Sequence, residues 1–279
     1  ELTRLNKPIG YMLLFWPCLW GLTLGYNKIS DSNVFIIYTL LFFFGSVLMR
    51  SAGCIFNDIV DKNFDKKVKR TKNRPIASGK TSRSEASIYI ILLCLIALSI
   101  LLQFNFLTIL LGIGSMIFAF AYPFMKRITY WPQLFLGLTF NWGIIMGWSS
   151  ITNSITIEPI ILYIAAIFWT LGYDTIYGLQ DIKDDEIIGI KSTSIKFKNN
   201  VKFFVGSCYS LCVFLIVILC LMIEMNKYTL IPLILSILSL IFQIKIFKAS
   251  SPRSCLRAFK INNLTGAFIF LFILTFSFS

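Results

Sequence analysis

The segment Val34–Asp65 reads VFIIYTLLFFFGSVLMRSAGCIFNDIVDKNFD. Its first part, residues 34–56, is almost entirely apolar, and about 20 apolar residues suffice to cross a bilayer as a helix. The remainder places Asp58, Asp61 and Asp65 three and four positions apart, a spacing that stacks side chains on one helix face. The segment therefore predicts a membrane-spanning helix that ends in a row of carboxylates.

The rest of the chain has the same apolar character. Its 279 residues are 57% hydrophobic and only 14% charged, whereas a soluble domain has about 25% charged residues. Apolar segments of spanning length occur at 9–26, 34–56, 86–103, 105–124, 131–150, 159–179, 203–223, 229–247 and 262–279. We therefore predict an all-α integral membrane protein, with one domain over residues 1–279 and about nine transmembrane helices.

The basic residues lie mostly on one side of this arrangement. Of the 26 Lys and Arg residues, 23 precede the first span or follow even-numbered spans, Lys28 and Lys227 lie on the opposite side, and Arg50 lies within the second span. This distribution is the positive-inside pattern, which orients the N-terminus and the acidic segment toward the cytoplasm. The net charge of +13 thus indicates topology and attraction for anionic lipids or substrates, and not nucleic-acid binding.

A second acidic cluster ends the sixth span. Asp181 and Asp185 repeat the four-residue spacing, Asp184 adjoins them, and Asp174 lies seven positions before Asp181, within the apolar segment. On one continuous helix all but Asp184 would share a face. Solvation at helix ends explains isolated acids, but seven of the eight aspartates fall in these two clusters. An ionisable residue within a span is by default a functional candidate.

The two aspartate motifs, 57–65 and 174–185, favour a hard cation. The chain has no histidine, and its seven cysteines are scattered as packing residues, so oxygen atoms would hold any metal. Mg²⁺ prefers a few carboxylates, retained waters and substrate phosphates. Facing motifs could therefore hold Mg²⁺ ions around a diphosphate, and the apolar bundle could hold a hydrocarbon tail. A prenyl diphosphate has both parts, and its allylic carbocation can be trapped by an electron-rich acceptor where water is excluded.

Side chains near these motifs could bind the diphosphate or the acceptor. The cations are Arg50, Arg70, Arg74, Lys126, Arg127 and Lys191. For any single loop lysine, membrane topology is the simpler explanation. Tyr122, Tyr177, Phe168 and Trp169 could shield a carbocation with their ring faces, although packing explains each of them more simply.

Several motifs resemble those of a known family. NDIVDKNFD (57–65), DTIYGLQDIKDDEIIGIKST (174–193) and YPFMK (122–126) resemble the two aspartate motifs and the Y-x-x-x-K of the UbiA superfamily of membrane prenyltransferases. Further similar stretches are RLNKPIGYMLLFWPCLWGL (4–22), RTKNRPIASG (70–79) and KRITYWPQLFLG (126–137). They resemble the 4-hydroxybenzoate polyprenyltransferase branch. The resemblance covers residues 4 to about 198.

The resemblance implies a fold and a reaction. The fold is a nine-helix bundle around a central cavity that opens laterally to the bilayer, with a cytoplasmic cap from the 2–3 and 6–7 loops. The reaction is Mg²⁺-dependent transfer of a polyprenyl group from polyprenyl diphosphate to the ring carbon ortho to the hydroxyl of 4-hydroxybenzoate, in ubiquinone biosynthesis. We expect such a protein in the inner membrane of a bacterial cell.

The resemblance also implies roles for individual residues. The metal ligands would be Asp58, Asp61, Asp65, Asp181 and Asp185, supported by Asn57, Asp174 and Asp184. Tyr122 and Lys126 would lie by the diphosphate, and Arg127 near the acceptor or the leaving group. Asp61, Asp181, Lys126 and Arg127 would thus be catalytic.

The handling of the aromatic acid stays open at this level. Arg4, Arg50 and Arg127 are candidates for its carboxylate, and Asp181 could accept from the hydroxyl or take the ring proton. One alternative is a related enzyme acting on another aromatic acceptor. A non-enzymatic alternative is an ion transporter, which would gather charges near the bilayer midplane. A CDP-alcohol phosphotransferase is excluded because the chain contains no Asp-Gly dipeptide.

Overall fold

The computed structural model describes residues 1–26, 31–223 and 228–278, and within these ranges it contains helices and no β-strand. The helices are α1 (Ile9–Tyr26), α2 (Ser32–Asp65), α3 (Arg83–Leu101), α4 (Phe106–Ile128), α5 (Pro132–Asn141), α6 (Gly143–Thr152), α7 (Ile157–Gly178), α8 (Ile182–Ile188), α9 (Thr193–Lys196), α10 (Val201–Met222), α11 (Leu230–Ile246) and α12 (Pro252–Leu274). A 3₁₀ turn follows at Thr275–Phe278. The expected all-α class is confirmed. Lys28 and Lys227, assigned by sequence to the opposite side of the membrane, lie outside the described residues.

Most of the expected spans are present as long apolar helices. In the described part of the chain, eight segments are long and apolar enough to cross a membrane, with α5 and α6 counted together, and α11 is apolar but has 17 residues. The number of nine spans therefore remains a prediction. The last helix begins at Pro252, well before the predicted start at residue 262, because Ser251 accepts a capping hydrogen bond from the Ser254 amide and proline suits the first helical turn.

The fifth expected span is split into α5 and α6, and α6 packs against α1 through small residues. A Cβ atom added to Gly21 would lie 2.0 Å from the carbonyl oxygen of Ile144, and one added to Gly147 would lie 2.2 Å from that of Cys18. Glycine at these positions lets the two backbones touch, as is common between membrane helices. This contact fixes α1 against the centre of the bundle.

Buried tryptophans join α1, α7 and α12. The rings of Trp20 and Trp169 lie 5.1 Å apart. The Trp20 indole donates a hydrogen bond to the Gly266 carbonyl (3.0 Å), and that of Trp169 donates to Asn262 Oδ1 (2.8 Å). Because both indole N–H groups have partners, these large side chains can be buried without leaving a donor unsatisfied.

The loop between α2 and α3, residues 66–82, is a packed element at one end of the bundle. Ile76 is fully buried against Ile55 and Ala86, and the Thr71 hydroxyl donates to the Asp65 carbonyl (3.0 Å). Burial of Ile76 contributes about 1.5–3 kcal/mol of hydrophobic stabilisation. We call residues 66–82 the cap loop, since they lie over the end of α2 that carries the first aspartate motif.

Candidate active site

The first aspartate motif lies on one buried face of α2, as its spacing predicts. Asp58, Asp61 and Asp65 are all buried. Asp58 accepts hydrogen bonds from Arg4 and from Arg74 (Nη1 to Oδ1, 3.1 Å). Asp65 accepts a second bond from Arg74 (2.9 Å). Both carboxylates are therefore neutralised by arginines that come from outside α2.

Asp61 is paired with the end of α4. Its Oδ2 accepts a hydrogen bond from the Lys126 ammonium. Its Oδ1 is buried without a hydrogen-bond partner among the described residues, although Arg127 Nη2 lies 3.5 Å away. Arg127 instead donates to the Val60 carbonyl (2.8 Å). One oxygen of Asp61 thus remains able to accept a ligand.

The second motif is arranged differently from the expectation of one continuous helix. Helix α7 ends at Gly178 and α8 begins at Ile182, so Asp174 does not share a helix face with Asp181. At this break Ser194 packs closely against the end of α7. A Cβ atom added to Gly178 would lie 2.5 Å from the hydroxyl oxygen of Ser194. Asp181 and Asp185 still stack, because the Asp185 amide donates to the Asp181 carbonyl (2.9 Å).

The cap loop links the two motifs. Arg70 Nε donates to both carboxylate oxygens of Asp181, at 2.8 and 2.9 Å, and its Nη1 donates to the Tyr177 hydroxyl (3.2 Å). The backbone N–H of Lys69 donates to Asp184 (3.3 Å). The two aspartate segments therefore face the same space, as the sequence predicts.

Asp185 has no hydrogen bond or ion pair to its side chain in the described part of the chain. Burial and the neighbouring Asp181 carboxylate raise its pKa to about 7. Burial and a neighbouring carboxylate both disfavour the ionised form of Asp185, and a bound cation would favour it.

The arrangement fits Mg²⁺ by its donor set. Among the described residues no three His, Cys, Asp or Glu side chains converge closely enough to hold a metal ion. Lysine or arginine side chains form ion pairs with four of the carboxylates, those of Asp58, Asp61, Asp65 and Asp181. The donors are all oxygens, which Mg²⁺ prefers. Among the described residues Asp61 Oδ1 lacks a hydrogen bond, and the Asp185 carboxyl, although Lys126 and Arg70 act on it electrostatically, forms no ion pair. At these two acids a bound divalent cation would supply the partner that the carboxylate lacks.

An apolar cavity of about 360 Å³ extends from this site into the bundle, between α1, α2, α3, α4 and the α5–α6 segment. Asn57, Arg50 and Tyr122 line it near the aspartates. The Arg50 guanidinium lies 5.3 Å from the centre of the Phe140 ring. Its Nε is buried and has no hydrogen-bond partner in the described residues. Arg50 is thus a cation at the cavity wall that is available to an anionic ligand.

Other residues singled out from the sequence have different surroundings. Asp174 interacts electrostatically with Arg50, but no described side chain forms an ion pair with it. The Lys191 ammonium donates to the Ile128 carbonyl (3.1 Å), and its amide donates to the Lys126 carbonyl (2.8 Å). Lys191 therefore supports the end of α4, and its contact with a substrate stays a prediction.

Sequence reasoning missed three contributors to the site. Phe140 lies against the guanidinium of Arg50, Ile76 anchors the cap loop, and the Lys69 backbone binds Asp184. Apolar residues and backbone groups have no distinguishing signal in one sequence, because such contacts exist only once the helices pack.

Comparison with known proteins identifies the family. Residues 14–272 match the UbiA prenyltransferase family. The chain is 40% identical over 273 residues to a 4-hydroxybenzoate octaprenyltransferase of Aliivibrio salmonicida, which covers 98% of this chain and 94% of that protein. It is 46% identical over 207 residues to the mitochondrial 4-hydroxybenzoate polyprenyltransferase of Rattus norvegicus, covering 72% of this chain and 54% of that protein. The matched part thus spans about half the length of the mitochondrial relatives.

Solved structures share the fold. A UbiA homolog from Aeropyrum pernix in its apo form superposes with a TM-score of 0.80 at 22% identity, covering 95% of this chain and 98% of that one. A UbiA homolog from Archaeoglobus fulgidus, bound to GPP and Mg²⁺, superposes with a TM-score of 0.73 at 21% identity, covering 98% and 99%. With its apolar helices, this chain is an integral membrane protein, and it belongs to the UbiA prenyltransferase family.

Proposed function

We propose that this protein transfers a polyprenyl group from polyprenyl diphosphate to the ring carbon of 4-hydroxybenzoate ortho to the hydroxyl, with Mg²⁺ as cofactor, in ubiquinone biosynthesis. The observation that carries the proposal is one continuous site. Two aspartate segments joined by Arg70 adjoin an apolar cavity whose wall holds the unpaired Arg50. The names of relatives at 40–46% identity support this substrate pair.

The aspartates would hold the metal. Asp58, Asp61 and Asp65 on α2 and Asp181 and Asp185 around α8 supply the oxygen ligands. Bound Mg²⁺ supplies charge neutralisation that makes diphosphate a better leaving group. Arg4 and Lys126, which now pair with Asp58 and Asp61, would then be released from these carboxylates. Each freed cation can bind a diphosphate oxygen instead.

The basic residues would bind the diphosphate as it leaves. Arg70, Arg74 and Lys126 come from the cap loop and from α4, and all three already lie against the aspartates. Preorganised cations aimed at developing negative charge lower the barrier to leaving-group departure. Tyr122, which lines the cavity, and Tyr177, whose ring lies beside Arg70, would stabilise a positive charge on the substrate through their ring faces.

The aromatic acid would bind with its carboxylate at Arg50. Of the three candidates, Arg4 is paired with Asp58 and Arg127 is held by the Val60 carbonyl, whereas Arg50 has no hydrogen-bond or ion-pair partner among the described residues. Asp181 and Asp174 are the candidates to accept from the hydroxyl or to take the ring proton. Asp174 is the better placed of the two for this role, because no arginine or lysine among the described residues forms an ion pair with its carboxylate.

The site would face the cytoplasm, in the inner membrane of a bacterial cell. The charge distribution along the chain supports this orientation, since 23 of the 26 basic residues fall on the side of the aspartate motifs. Anionic lipids of the inner leaflet would then lie near these residues.

The test uses purified protein in lipid nanodiscs with Mg²⁺, 4-hydroxybenzoate and prenyl diphosphates, with products identified by mass spectrometry. We expect 3-polyprenyl-4-hydroxybenzoate, and we expect its loss with EDTA or in Asp61→Asn and Asp181→Asn. Asp31→Asn is the matched control, because Asp31 only caps the opposite end of α2. Failure to form product with any tail length, or activity that survives EDTA, would contradict the proposal.

A second arm tests the acceptor and the transporter alternative. In this arm, other phenolic acids are offered in competition with 4-hydroxybenzoate. The acid with the highest kcat/KM is the preferred acceptor. Ion flux into sealed vesicles, without any prenylated product, would favour transport instead.

A further inference from the structure

The chain reverses its direction directly after α8. This helix ends at Ile188, and the next residue, Gly189, has a φ of 76°, in the left-handed region that glycine adopts without strain. The Ile190 amide then donates back to the Asp185 carbonyl (3.0 Å), as is common where a helix ends at glycine. The stretch that follows, residues 190–194, thus begins with a hydrogen bond to an aspartate of the second motif.

The next residue of this stretch is bonded to the end of α4. The Lys191 amide donates to the Lys126 carbonyl (2.8 Å), and the Lys191 ammonium donates to the carbonyl of Ile128 (3.1 Å), the last residue of that helix. The amides of two adjacent residues therefore bind the backbones of Asp185 and Lys126. The proposed function assigns the first of these to the metal and the second to the diphosphate.

The far end of the stretch is bonded to α5 and α7. The Thr193 amide donates to Gln133 Oε1 on α5 (3.0 Å), and the Thr193 hydroxyl lies 2.6 Å from that of Thr175 on α7. The Thr175 hydroxyl donates to the Leu171 carbonyl (2.6 Å), so its oxygen accepts from Thr193. The Ser194 hydroxyl donates to the Thr175 carbonyl (2.8 Å).

These bonded groups are buried. Thr175, Thr193 and Ser194 are fully buried, and Gln133 is 5% exposed. Hydrogen bonds fix both the distance and the direction between the groups that they join, which apolar contacts do not. A buried polar network whose members are satisfied makes one arrangement rigid. The network therefore holds residues 190–194 in one position relative to α5 and α7.

We propose that residues 190–194 form a strap that keeps Lys126 and Asp185 at the spacing which prenyl transfer requires, with Gln133, Thr175 and Thr193 as positioning residues. The inference rests on the proposed function, because the spacing matters only if both side chains act on one prenyl diphosphate. The three positioning residues act through the backbone of the strap and are assigned no contact with substrate. Loosening the strap therefore lowers the rate of transfer and leaves acceptor binding unchanged.

The first experiment removes one hydroxyl from the network. Thr193→Val keeps the shape of the side chain, and we expect kcat to fall about 10- to 100-fold, as a displacement of about 1 Å in a reacting group can cause. KM for 4-hydroxybenzoate should change by less than about twofold, since the strap does not reach Arg50. Thr193→Ser keeps the hydroxyl and should restore most of kcat.

The matched control is Thr265→Val. Thr265 is also fully buried, and its hydroxyl forms hydrogen bonds with Gln243 and Ser239 between α11 and α12. Both valine variants should lower the melting temperature, but Thr265→Val should leave kcat unchanged. Equal loss of kcat in the two variants, or no recovery in Thr193→Ser, would overturn the proposal. If Thr193→Val does not fold, Gln133→Leu takes its place, with the same expected split between kcat and KM.

The second experiment needs no turnover. Amide hydrogen exchange in nanodiscs, read by mass spectrometry, follows the peptides that contain Ile190 and Lys191. In Thr193→Val these amides should exchange at least about fivefold faster, because the strap opens locally, and in Thr265→Val they should not change. Unchanged exchange in Thr193→Val would overturn the strap. Absence of product with the unaltered protein would instead contradict the proposed function, so the two failures are distinguishable.

Discussion

Arg70 binds Asp181 through both carboxylate oxygens, at 2.8 and 2.9 Å from its Nε, and thereby joins the two aspartate motifs. The arginine follows the first motif in the chain, and the aspartate belongs to the second. The side chain of Arg70 is 38% exposed and that of Asp181 14%. This ion pair therefore lies at the mouth of the site, where an incoming diphosphate would meet it first.

Arg70→Gln should weaken binding of the prenyl diphosphate. A hydrogen bond to a charged group contributes about 1.5–3 kcal/mol, so KM for the diphosphate should rise by about 10- to 100-fold, toward the lower end because Arg70 is partly exposed. KM for 4-hydroxybenzoate should stay unchanged. Steady-state kinetics with each substrate varied in turn measures both values.

The control for Arg70 is Lys72→Gln, which removes the same charge from an exposed position of the cap loop. It should leave both KM values unchanged. Equal effects of the two substitutions would indicate a general effect of loop charge, and would contradict a specific role for Arg70.

Lys126→Met should separate metal binding from leaving-group departure. Lys126 neutralises Asp61, so its removal leaves that carboxylate free for a cation. Metal binding can be measured by electron paramagnetic resonance with Mn²⁺ in place of Mg²⁺. We expect the variant to bind Mn²⁺ at least as tightly as the unaltered protein does. The rate of transfer should fall about 10²- to 10³-fold, which is typical when one stabilising donor is removed.

Lys183→Met is the matched control for Lys126, because Lys183 is exposed on α8. It should retain full activity. A parallel loss of metal binding and activity in Lys126→Met would argue that the lysine only supports the fold around Asp61.

Arg50→Met should affect one substrate selectively. If Arg50 binds the carboxylate, KM for 4-hydroxybenzoate should rise about 10- to 100-fold, while KM for the prenyl diphosphate stays the same. With methyl 4-hydroxybenzoate, which has no negative charge, the variant and the unaltered protein should behave alike. Arg253→Met, at an exposed site on α12, is the control. A similar loss with the ester would assign the carboxylate to another residue.

Gly147→Ala should destabilise the bundle. The added Cβ atom would lie 2.2 Å from the Cys18 carbonyl oxygen and 2.6 Å from the Leu22 nitrogen, and backbone atoms cannot rotate away. Overpacking of this kind lowers the free energy of unfolding by about 1–3 kcal/mol, which thermal unfolding in detergent would detect. Gly206→Ala is the control, because no atom lies within 4 Å of its added Cβ; it should raise stability by up to about 1 kcal/mol. Equal melting temperatures would contradict the tight contact between α1 and α6.

The sequence by itself determined the features that depend on local spacing. A run of apolar residues dictates a membrane helix, and three aspartates at helical spacing stack on one face of α2 because the helical repeat is set within a few residues. The charge pairs were decided only by tertiary structure. Arg70 meets Asp181 across 111 positions, and Arg4 meets Asp58 across 54. The helix break at Gly178, which separates Asp174 from Asp181, lies where Ser194 packs closely against the chain. Such contacts depend on how helices distant in the chain pack together, and local periodicity carries no information about that packing.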